Sequence, residues 1–420
     1  MIETMTGFRA LGLSNETLQA LDQKGFEKPT PIQELTIPLL LEGEKDIVGQ
    51  AQTGSGKTAA FGIPILERFD SQSKGVQAII LAPTRELAIQ VANELASYKG
   101  NRRIRITTIY GGALISKQMR ELERGTDIVV GTPGRVIDMI ERKKLQLDSV
   151  RFVVLDEADE MLNMGFLDDV ELILSKCNSD RRMLLFSATM PKRILNLAKR
   201  YMGTYELVEV ENKGLTTASI SQAYYQVPAR NRFDALCRIM AAEEDFYGIV
   251  FCNTKMAVVE ITNSLNERGY SADSLHGDIA QNLREKVINQ FKRNGKGVLV
   301  ATDVAARGID IQDLTHVINY GLPQDPESYV HRIGRTGRAG KEGKAISIID
   351  NNELRKLRFI QKATNASIQK ANLPDAVDLV KLKKARLLEK VEEIISTEQH
   401  YPMMEYTYEL LDDKDPALVI

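Results

Sequence analysis

The stretch DIVGQAQTGSGKT, residues 46–58, decides the fold class. A short run containing Ile47 and Val48 leads into a Gly-rich turn, which opens onto a helical pattern from Lys57. Backbone N–H groups of such a turn and of the helix after it attract phosphate, although Ala51 stands where the strict pattern has Gly. The stretch therefore predicts a nucleotide site at Thr53, Gly54, Ser55, Gly56, Lys57 and Thr58, with a chance Gly-rich turn as the alternative.

The same alternation of strand and helix recurs on both sides of ENKGLTTAS, residues 211–219. It includes AIILAPTRELAIQ, FVVLDEADEML and RMLLFSAT before this stretch, and GIVFCNTKMAVVE, GVLVATDVAARGID and KAISIID after it. Such alternation is typical of α/β units with parallel sheets. We expect two tandem α/β domains at 1–208 and 219–364, a flexible linker at 209–218 and a helical extension at 365–420.

The composition is that of a soluble globular protein. The 420 residues include 55 basic and 57 acidic side chains, a net charge of −2, which argues against a uniformly basic coat for nucleic acid but not against a local basic cleft. Neither the three cysteines nor the four histidines have metal-ligand or disulfide spacing. The start of the chain lacks a signal-peptide pattern, and no apolar run approaches the roughly 18 residues that span a bilayer. We expect a cytoplasmic protein without a membrane segment.

FVVLDEAD, residues 152–159, is an apolar strand that ends in adjacent carboxylates. Downstream of a phosphate-binding loop, this pattern predicts that Asp156 holds Mg²⁺, largely through water, with Thr58. Glu157 is then placed to orient and deprotonate an attacking water. The alternative is a solvated helix N-terminus, where acidic residues are favoured by the helix dipole.

These motifs, with others in the same order, resemble the signature of DEAD-box ATP-dependent RNA helicases of superfamily 2, and the chain is similar to their bacterial CshA-type cold-shock branch. The resemblance covers about residues 8–350. It implies two RecA-like domains, ATP and Mg²⁺ as cofactors, RNA as the partner, and ATP hydrolysis coupled to cleft closure, duplex unwinding and remodelling of RNA–protein complexes. An ATP-dependent RNA clamp and a DNA translocase remain alternatives.

The resemblance also assigns nucleotide contacts beyond the phosphate loop. GFEKPTPIQ, residues 25–33, matches the family's adenine-recognising motif, in which Gln33 can pair with the adenine edge and Phe26 can stack on the ring or pack in the core. HRIGRTGR, residues 331–338, places Arg335 and Arg338 three residues apart, which predicts a common helical face, and the resemblance implies that both are arginine fingers. The remaining nucleotide contacts implied are Phe8, Gly308 and Asp310.

The segments PTRELA, GG, TPGR and QNLR match the family's RNA-facing motifs. The RNA contacts implied are Pro83, Thr84, Arg85, Gly111, Gly112, Thr132, Pro133, Gly134, Arg135, Gln281, Arg284 and Thr302. Hydroxyls, amides and guanidiniums suit phosphate and 2′-OH contacts and predict binding that is largely independent of sequence, although each segment alone is equally typical of a turn or helix cap. Arg332 is consistent with the same RNA-binding surface. Asp159, Ser187, Thr189 and His331 are implied to couple the lobes, with a simple helix N-cap as the alternative for 187–189.

The C-terminal pattern LVKLKKARLLEKVEEIIS, residues 379–396, predicts a helix. Residues 379–420 resemble part of the dimerisation module of CshA-type proteins, which implies a homodimer. The alternative is that Leu387, Leu388, Ile394 and Ile395 pack on the core. The abrupt end at DKDPALVI leaves open whether the terminus is native or truncated. The branch also implies partners in RNA degradation, ribosome assembly or cold adaptation, and the sequence does not distinguish among these three.

Overall fold

The architecture is known from a computed structural model of the 420-residue chain. The structure describes residues 7–51, 54–210, 220–243, 246–306, 309, 311, 314–337 and 342–396. These residues form two α/β lobes, each built around a parallel sheet, as the sequence predicts. The tandem RecA-like architecture is thereby confirmed.

The first lobe alternates strands and helices along the chain. Its strands are β1 (Asp46–Gln50), β2 (Ala78–Leu81), β3 (Ile106–Ile109), β4 (Ile128–Gly131), β5 (Phe152–Leu155), β6 (Arg182–Ser187) and β7 (Tyr205–Glu209). Its helices are α1 (Asn15–Gln23), α2 (Pro31–Glu42), α3 (Lys57–Glu67), α4 (Arg85–Tyr98), α5 (Ile115–Glu123), α6 (Pro133–Glu141), α7 (Ala158–Asn163), α8 (Leu167–Leu174) and α9 (Lys192–Tyr201). The strand order is β3-β4-β2-β5-β6-β1-β7, with all described pairings parallel.

The second lobe repeats this plan. Its strands are β8 (Ile220–Gln226), β9 (Tyr247–Phe251), β10 (Ala272–Leu275), β11 (Gly297–Ala301), β12 (His316–Asn319), β13 (Gly343–Ile349) and β14 (Gln369–Lys370). Its helices are α10 (Arg232–Ala242), α11 (Lys255–Glu267), α12 (Gln281–Asn294), α13 (Asp303–Ala306), α14 (Pro326–Ile333), α15 (Leu354–Thr364) and α16 (Ala376–Ser396). The strand order is β10-β11-β9-β12-β13-β8-β14.

Strand order sorts the functional loops, because loops that follow adjacent parallel strands meet at one edge of the sheet. In the first lobe, the phosphate loop follows β1, the turn with Asp156 and Glu157 follows β5, and the turn with Thr189 follows β6. These three strands are neighbours in the sheet. The three RNA-motif loops of this lobe follow β2, β3 and β4, which form the other half of the sheet. The fold therefore separates a nucleotide half from a prospective RNA half.

The C-terminal segment differs from the expectation in two ways. The expected end of the strands at about residue 365 is wrong, because β14 pairs with β8 through Gln369 and Lys370. The helix over 379–396 is confirmed within α16, but Leu387 and Leu388 are 63% and 53% exposed, so their packing on the core is also wrong. Residues 397–420 and the side chains of Ile394 and Ile395 lie outside the described part. Among the described residues, no helix has the length and apolar character needed to cross a membrane.

The expectation that Arg332 belongs to an RNA-binding surface is wrong, because the side chain is 2% exposed. Its Nε and Nη2 donate to the Asp303 carboxylate at 2.5 and 2.7 Å, and Nη1 donates to the carbonyl of Gly321 at 2.8 Å and to Oδ1 of Asn319 at 2.9 Å. The guanidinium also lies over the ring of Phe251. Arg332 thus ties the strand ends of the second lobe together.

We expect Arg332→Met to lower the free energy of unfolding of the second lobe by roughly 3 kcal/mol, because it leaves the Asp303 carboxylate and two carbonyl-type acceptors without their buried cation. Arg355 on α15 is exposed, and Arg355→Met is the matched control, with a change within about 0.5 kcal/mol. Thermal unfolding followed by circular dichroism measures both. Equal melting of the two variants would contradict the structural role of Arg332.

Candidate nucleotide and RNA site

A cleft of about 330 Å³ lies between the lobes, at the carboxyl ends of β1 and β5. It brings together most of the nucleotide residues that the sequence predicts, together with one arginine from the second lobe. The lining residues used below are Lys24, Phe26, Gln33, Gly54, Gly56, Lys57, Thr58, Glu94, Tyr98, Asp156, Glu157, Ile309 and Arg335. The cleft therefore has donors, carboxylates and an aromatic ring from one lobe and a guanidinium from the other.

The phosphate loop owes its shape to glycine. Gly54 and Gly56 have φ values of 83° and 90°, a left-handed region that favours glycine. A Cβ atom on Gly56 would also lie 2.3 Å from Nε2 of Gln33, so the close packing of α2 on the loop excludes a side chain there. Lys57 begins α3, is 6% exposed and donates from Nζ to the carbonyl of Ala51 at 3.0 Å. The ammonium is thus held at the mouth of the loop.

The two carboxylates after β5 have different environments. Asp156 is buried, and burial raises its pKa to about 7, although the nearby Lys57 ammonium lowers it. Glu157 has φ 52° and ψ 53°, a left-handed conformation that costs a non-glycine residue about 1–2 kcal/mol. Backbone strain of this kind is concentrated at functional sites. It aims the Glu157 side chain into the cleft instead of along α7.

The base-binding end of the cleft is formed by the start of α2 and the end of α4. Oε1 of Gln33 accepts from the amide of Thr30 at 2.9 Å, and Nε2 donates to the carbonyl of Gly56 at 3.1 Å. An amide has a second lone pair and a second N–H, so Gln33 keeps one acceptor and one donor for a base. Phe26 lines the cleft, whereas Phe8 is 5% exposed and stacks behind Phe26, so Phe8 supports the pocket without lining it.

Sequence reasoning missed three other residues at this end. Lys24 lies with Nζ 4.4 Å from the centroid of the Tyr98 ring, and the Tyr98 hydroxyl donates to Oε2 of Glu94 at 3.1 Å. All three line the cleft. Glu94 and Tyr98 lie four residues apart in α4, and Lys24 directly precedes the motif at residues 25–33. Neither position distinguishes these residues from ordinary surface residues in the sequence alone.

The second lobe contributes Arg335. Helix α14 ends at Ile333, so Arg335 lies in the turn after it, and the expected common helical face for the two arginines is wrong. The turn begins at Gly334, which caps the helix, and the guanidinium of Arg335 reaches the cleft, where Nη1 also donates to the carbonyl of Ile309 at 2.7 Å. Thr53, Gly308, Asp310 and Arg338 lie outside the described residues.

The four coupling residues form a chain of hydrogen bonds. The Asp159 amide donates to Oγ of Ser187 at 3.2 Å, and the amide and hydroxyl of Thr189 both donate to Oδ2 of Asp159 at 2.9 Å. Helix α9 begins after Pro191, so the alternative of a simple N-cap at 187–189 is wrong. These bonds fix the turn after β5 to the turn after β6.

The last member of the chain crosses between the lobes. Nδ1 of His331 is 2.7 Å from Oε1 of Glu160. Burial alone would lower the pKa of His331, but the hydrogen bond and the neighbouring carboxylate charges outweigh burial and raise the pKa. His331 therefore joins α14 of the second lobe to Glu160 of α7 in the first lobe. Glu160 directly follows the tetrad of residues 156–159 and was missed because one more acidic residue after that tetrad carries no motif of its own.

The predicted RNA residues lie at the carboxyl ends of strands. Thr84 and Thr132 are the N-caps of α4 and α6, and Thr84 Oγ1 accepts from the amide of Leu87. Gly111 and Gly134 have open space around them, where a backbone N–H can be approached closely. Pro83 ends the turn before α4, Pro133 begins α6, and Thr302 follows β11. Arg135 donates to the carbonyl of Ala113 and to Gln118.

Two predicted RNA arginines also join the lobes. Nη1 of Arg85 donates to Oε1 of Gln281 at 2.6 Å, and Nε of Arg284 lies 3.0 Å from Oε1 of Glu86. Gly112 lies against Arg85, since a Cβ atom there would be 2.5 Å from Nη1. The side chain of Arg284 is 9% exposed, so it belongs to the inter-lobe contact and not to an open RNA-facing surface.

Comparisons with known proteins agree with this geometry. Residues 30–197 match the DEAD/DEAH box helicase family and residues 231–340 match the helicase conserved C-terminal domain. The DEAD-box ATP-dependent RNA helicase CshA of Geobacillus kaustophilus is 47% identical over 99% of this chain and 89% of that protein.

Two solved structures show how similar the whole arrangement is. Saccharomyces cerevisiae Dbp5 bound to RNA and ADP BeF₃ is 32% identical, with a TM-score of 0.81 over 90% of this chain and 99% of that chain. A DEAD box protein from Methanococcus jannaschii is 54% identical but has a TM-score of 0.52 over 88% of this chain and 99% of that chain. The split nucleotide cleft, the motif order and these matches lead to one conclusion: the chain belongs to the DEAD-box family of ATP-dependent RNA helicases.

Proposed function

We propose that this chain hydrolyses ATP in a cleft that is complete only when the two lobes are closed, and that RNA promotes the closure. The observation that carries the proposal is that Arg335 of the second lobe lines the same cleft as Lys57 and Glu157 of the first. Lys57 neutralises phosphate charge, Glu157 orients and deprotonates water, and Arg335 stabilises the charge that develops in the transition state. Separation of the lobes removes Arg335 and stops hydrolysis.

Mg²⁺ fits this cleft. Asp156 and Thr58 supply one carboxylate and one hydroxyl, and Mg²⁺ in nucleotide sites commonly takes one or two protein oxygens, with phosphates and water completing its octahedron. The raised pKa of Asp156 is the mark of a buried carboxylate whose charge is only partly offset by Lys57, so a divalent cation is well placed there. When bound, Mg²⁺ supplies charge neutralisation for the β- and γ-phosphates.

RNA is proposed to cross both lobes. Arg85, Gly112 and Gln281 lie together at the seam, so a strand bound there contacts both lobes at once. Binding that requires the closed form stabilises it, and by linkage ATP then raises RNA affinity by the same factor. A strand held along two converging lobes leaves no space for a continuous duplex, which supports local unwinding and remodelling of RNA–protein complexes.

We expect single-stranded RNA to raise the steady-state ATPase rate at least about tenfold, while single-stranded DNA of the same sequence has little effect, because placed hydroxyl and amide groups can recognise 2′-OH groups. GTP should not replace ATP, because Gln33 offers a donor and an acceptor that suit adenine. Phosphate release with each nucleic acid and nucleotide measures this. Equal stimulation by DNA would favour a DNA translocase, and ATP-dependent RNA binding without strand separation in a duplex-displacement assay would favour a clamp.

Glu157→Gln keeps the shape and the left-handed backbone position but removes the base. We expect ATP and RNA affinities close to wild type and a loss of at least about 100-fold in kcat. Glu171→Gln is the control, because Glu171 pairs with Arg200 on the surface away from the cleft. Phosphate release at saturating RNA gives kcat, and a rate for Glu157→Gln near that of the control would exclude Glu157 as the base.

Arg335→Ala should lower RNA-stimulated kcat by about 10³-fold or more and leave ATP affinity within a fewfold of wild type, because the guanidinium acts on the transition state. Arg335→Lys should recover only part of the rate, since an ammonium lacks the planar fork. Single-turnover hydrolysis and nucleotide titration separate the two effects. A wild-type kcat for Arg335→Ala would remove the proposed finger role.

A further inference from the structure

The base-binding end of the cleft contains an ordered group of side chains that the proposed mechanism does not use. The Tyr98 ring is 2% exposed, and its centroid lies 6.2 Å from that of the Phe26 ring. The Tyr98 hydroxyl donates to Oε2 of Glu94 at 3.1 Å. Burial raises the pKa of Tyr98, and the Glu94 carboxylate raises it further, so the hydroxyl remains a donor at neutral pH. Tyr98 therefore gives Phe26 a fixed aromatic neighbour at the end of α4.

Lys24 ties the segment before α2 to the same end of α4. Its Nζ donates to Oγ of Ser97 at 2.7 Å, and that hydroxyl donates to the carbonyl of Glu94 at 2.6 Å. Nζ also lies 4.4 Å from the centroid of the Tyr98 ring and 5.5 Å from that of the Phe26 ring. A cation is favoured both over an aromatic ring and at the C-terminal end of a helix. One ammonium thus contacts two rings and the last turn of α4.

The Phe26 ring depends on such contacts because its backbone belongs to neither a helix nor a strand. Residues 24–30 join α1 to α2, and Gly25 has φ 73°, so the chain turns directly before Phe26. The side chain is half-buried and lines the cleft, and Phe8 stacks on it at a centroid distance of 6.4 Å. A ring on such a segment loses freedom when it stacks on a ligand. Contacts that fix the ring beforehand therefore strengthen binding.

We propose that Lys24 is a positioning residue for adenine recognition, which acts by holding the Phe26 ring in the orientation that stacks on the base. This inference rests on the proposed function and adds to it a residue outside the motif at 25–33. Loss of the ammonium then weakens binding through the base and leaves the phosphate contact of Lys57 and the hydrolysis step unchanged. A direct contact of Lys24 with phosphate is less favoured, because Nζ is held beside Tyr98 at the C-terminal end of α4, whereas the phosphate loop precedes α3.

The test uses the full-length protein with Mg²⁺, and measures ADP binding by calorimetry and ATP hydrolysis at saturating RNA. Lys24→Met removes the charge and the donor but keeps an unbranched stem, and Lys24→Arg restores a cation that can donate to Ser97. Lys24 is exposed, so both variants should fold. Lys45→Met is the matched control, because Lys45 is an exposed lysine that pairs with Glu206 before the amino end of β1, whereas the cleft lies at the carboxyl end.

We expect Lys24→Met to raise the Kd for ADP and the KM for ATP about two- to fivefold, the range for one cation–π contact at an exposed site. The kcat should stay within about twofold of wild type, because the phosphate and water contacts are unchanged. Lys24→Arg should recover most of the affinity, and Lys45→Met should bind ADP as wild type does. Unaltered ADP affinity of Lys24→Met, or a fall in kcat without a change in KM, would overturn the proposal.

A double-mutant cycle with Phe26→Ala shows whether Lys24 acts through the ring. Phe26→Ala alone should weaken ADP binding about tenfold, within the range for loss of one base–aromatic stack, and the addition of Lys24→Met should weaken it no further. An equal loss from Lys24→Met in both backgrounds would overturn the positioning role and indicate direct contact with the nucleotide. Unchanged ADP affinity of Phe26→Ala would also overturn it. Wild-type ATPase that RNA does not stimulate would instead reject the proposed function, whereas the ADP titrations would still report on Lys24.

Discussion

The hydrogen bond between His331 of the second lobe and Glu160 of the first is the contact on which the catalytic geometry depends. It is 2.7 Å long and joins the turn and helix after β5, which include Asp156, Glu157 and Glu160, to the helix that precedes Arg335. The same turn is fixed to β6 through Asp159 and Thr189. In the mechanism that we propose, a change in the position of the second lobe acts through this contact on the segment that holds Asp156 and Glu157.

The two lobes are joined by polar contacts, while their apolar cores are separate. Every apolar cluster among the described residues is confined to one lobe. Polar inter-lobe contacts among the described residues include His331 with Glu160, Arg85 with Gln281, and Arg284 with Glu86. Hydrogen bonds that involve a charged group contribute about 1.5–3 kcal/mol each, far less than a continuous apolar core, which is consistent with the reversible closure that we propose. A shared apolar core would lock the lobes together.

The sequence predicted the central strands well and the peripheral ones poorly. Strands β1, β2 and β5 are apolar because both faces are covered, and each ends in a recognisable motif. Strands β3, β7 and β14 are sheet edges, and β8 lies next to an edge; ITTI, YELVE and ISQAYYQ are partly exposed and were not among the strands that the sequence predicted. The same limit applies to the site. Motif residues were found by spacing, whereas Glu160 and Tyr98 act through tertiary contacts that spacing does not encode.

The contacts of the arginines at the prospective RNA edge explain how a chain with a net charge of −2 is compatible with RNA binding. Arg85 and Arg135 both donate to partners within the protein, so their charge is already committed to local hydrogen bonds. A guanidinium has five N–H donors and can keep its partner while it binds a phosphate. The protein partner fixes the direction of the remaining donors, and for Arg85 that partner is Gln281 of the second lobe. In the closure that we propose, affinity for RNA depends on this pairing and not on a permanent excess of positive charge, which would hold the strand after hydrolysis.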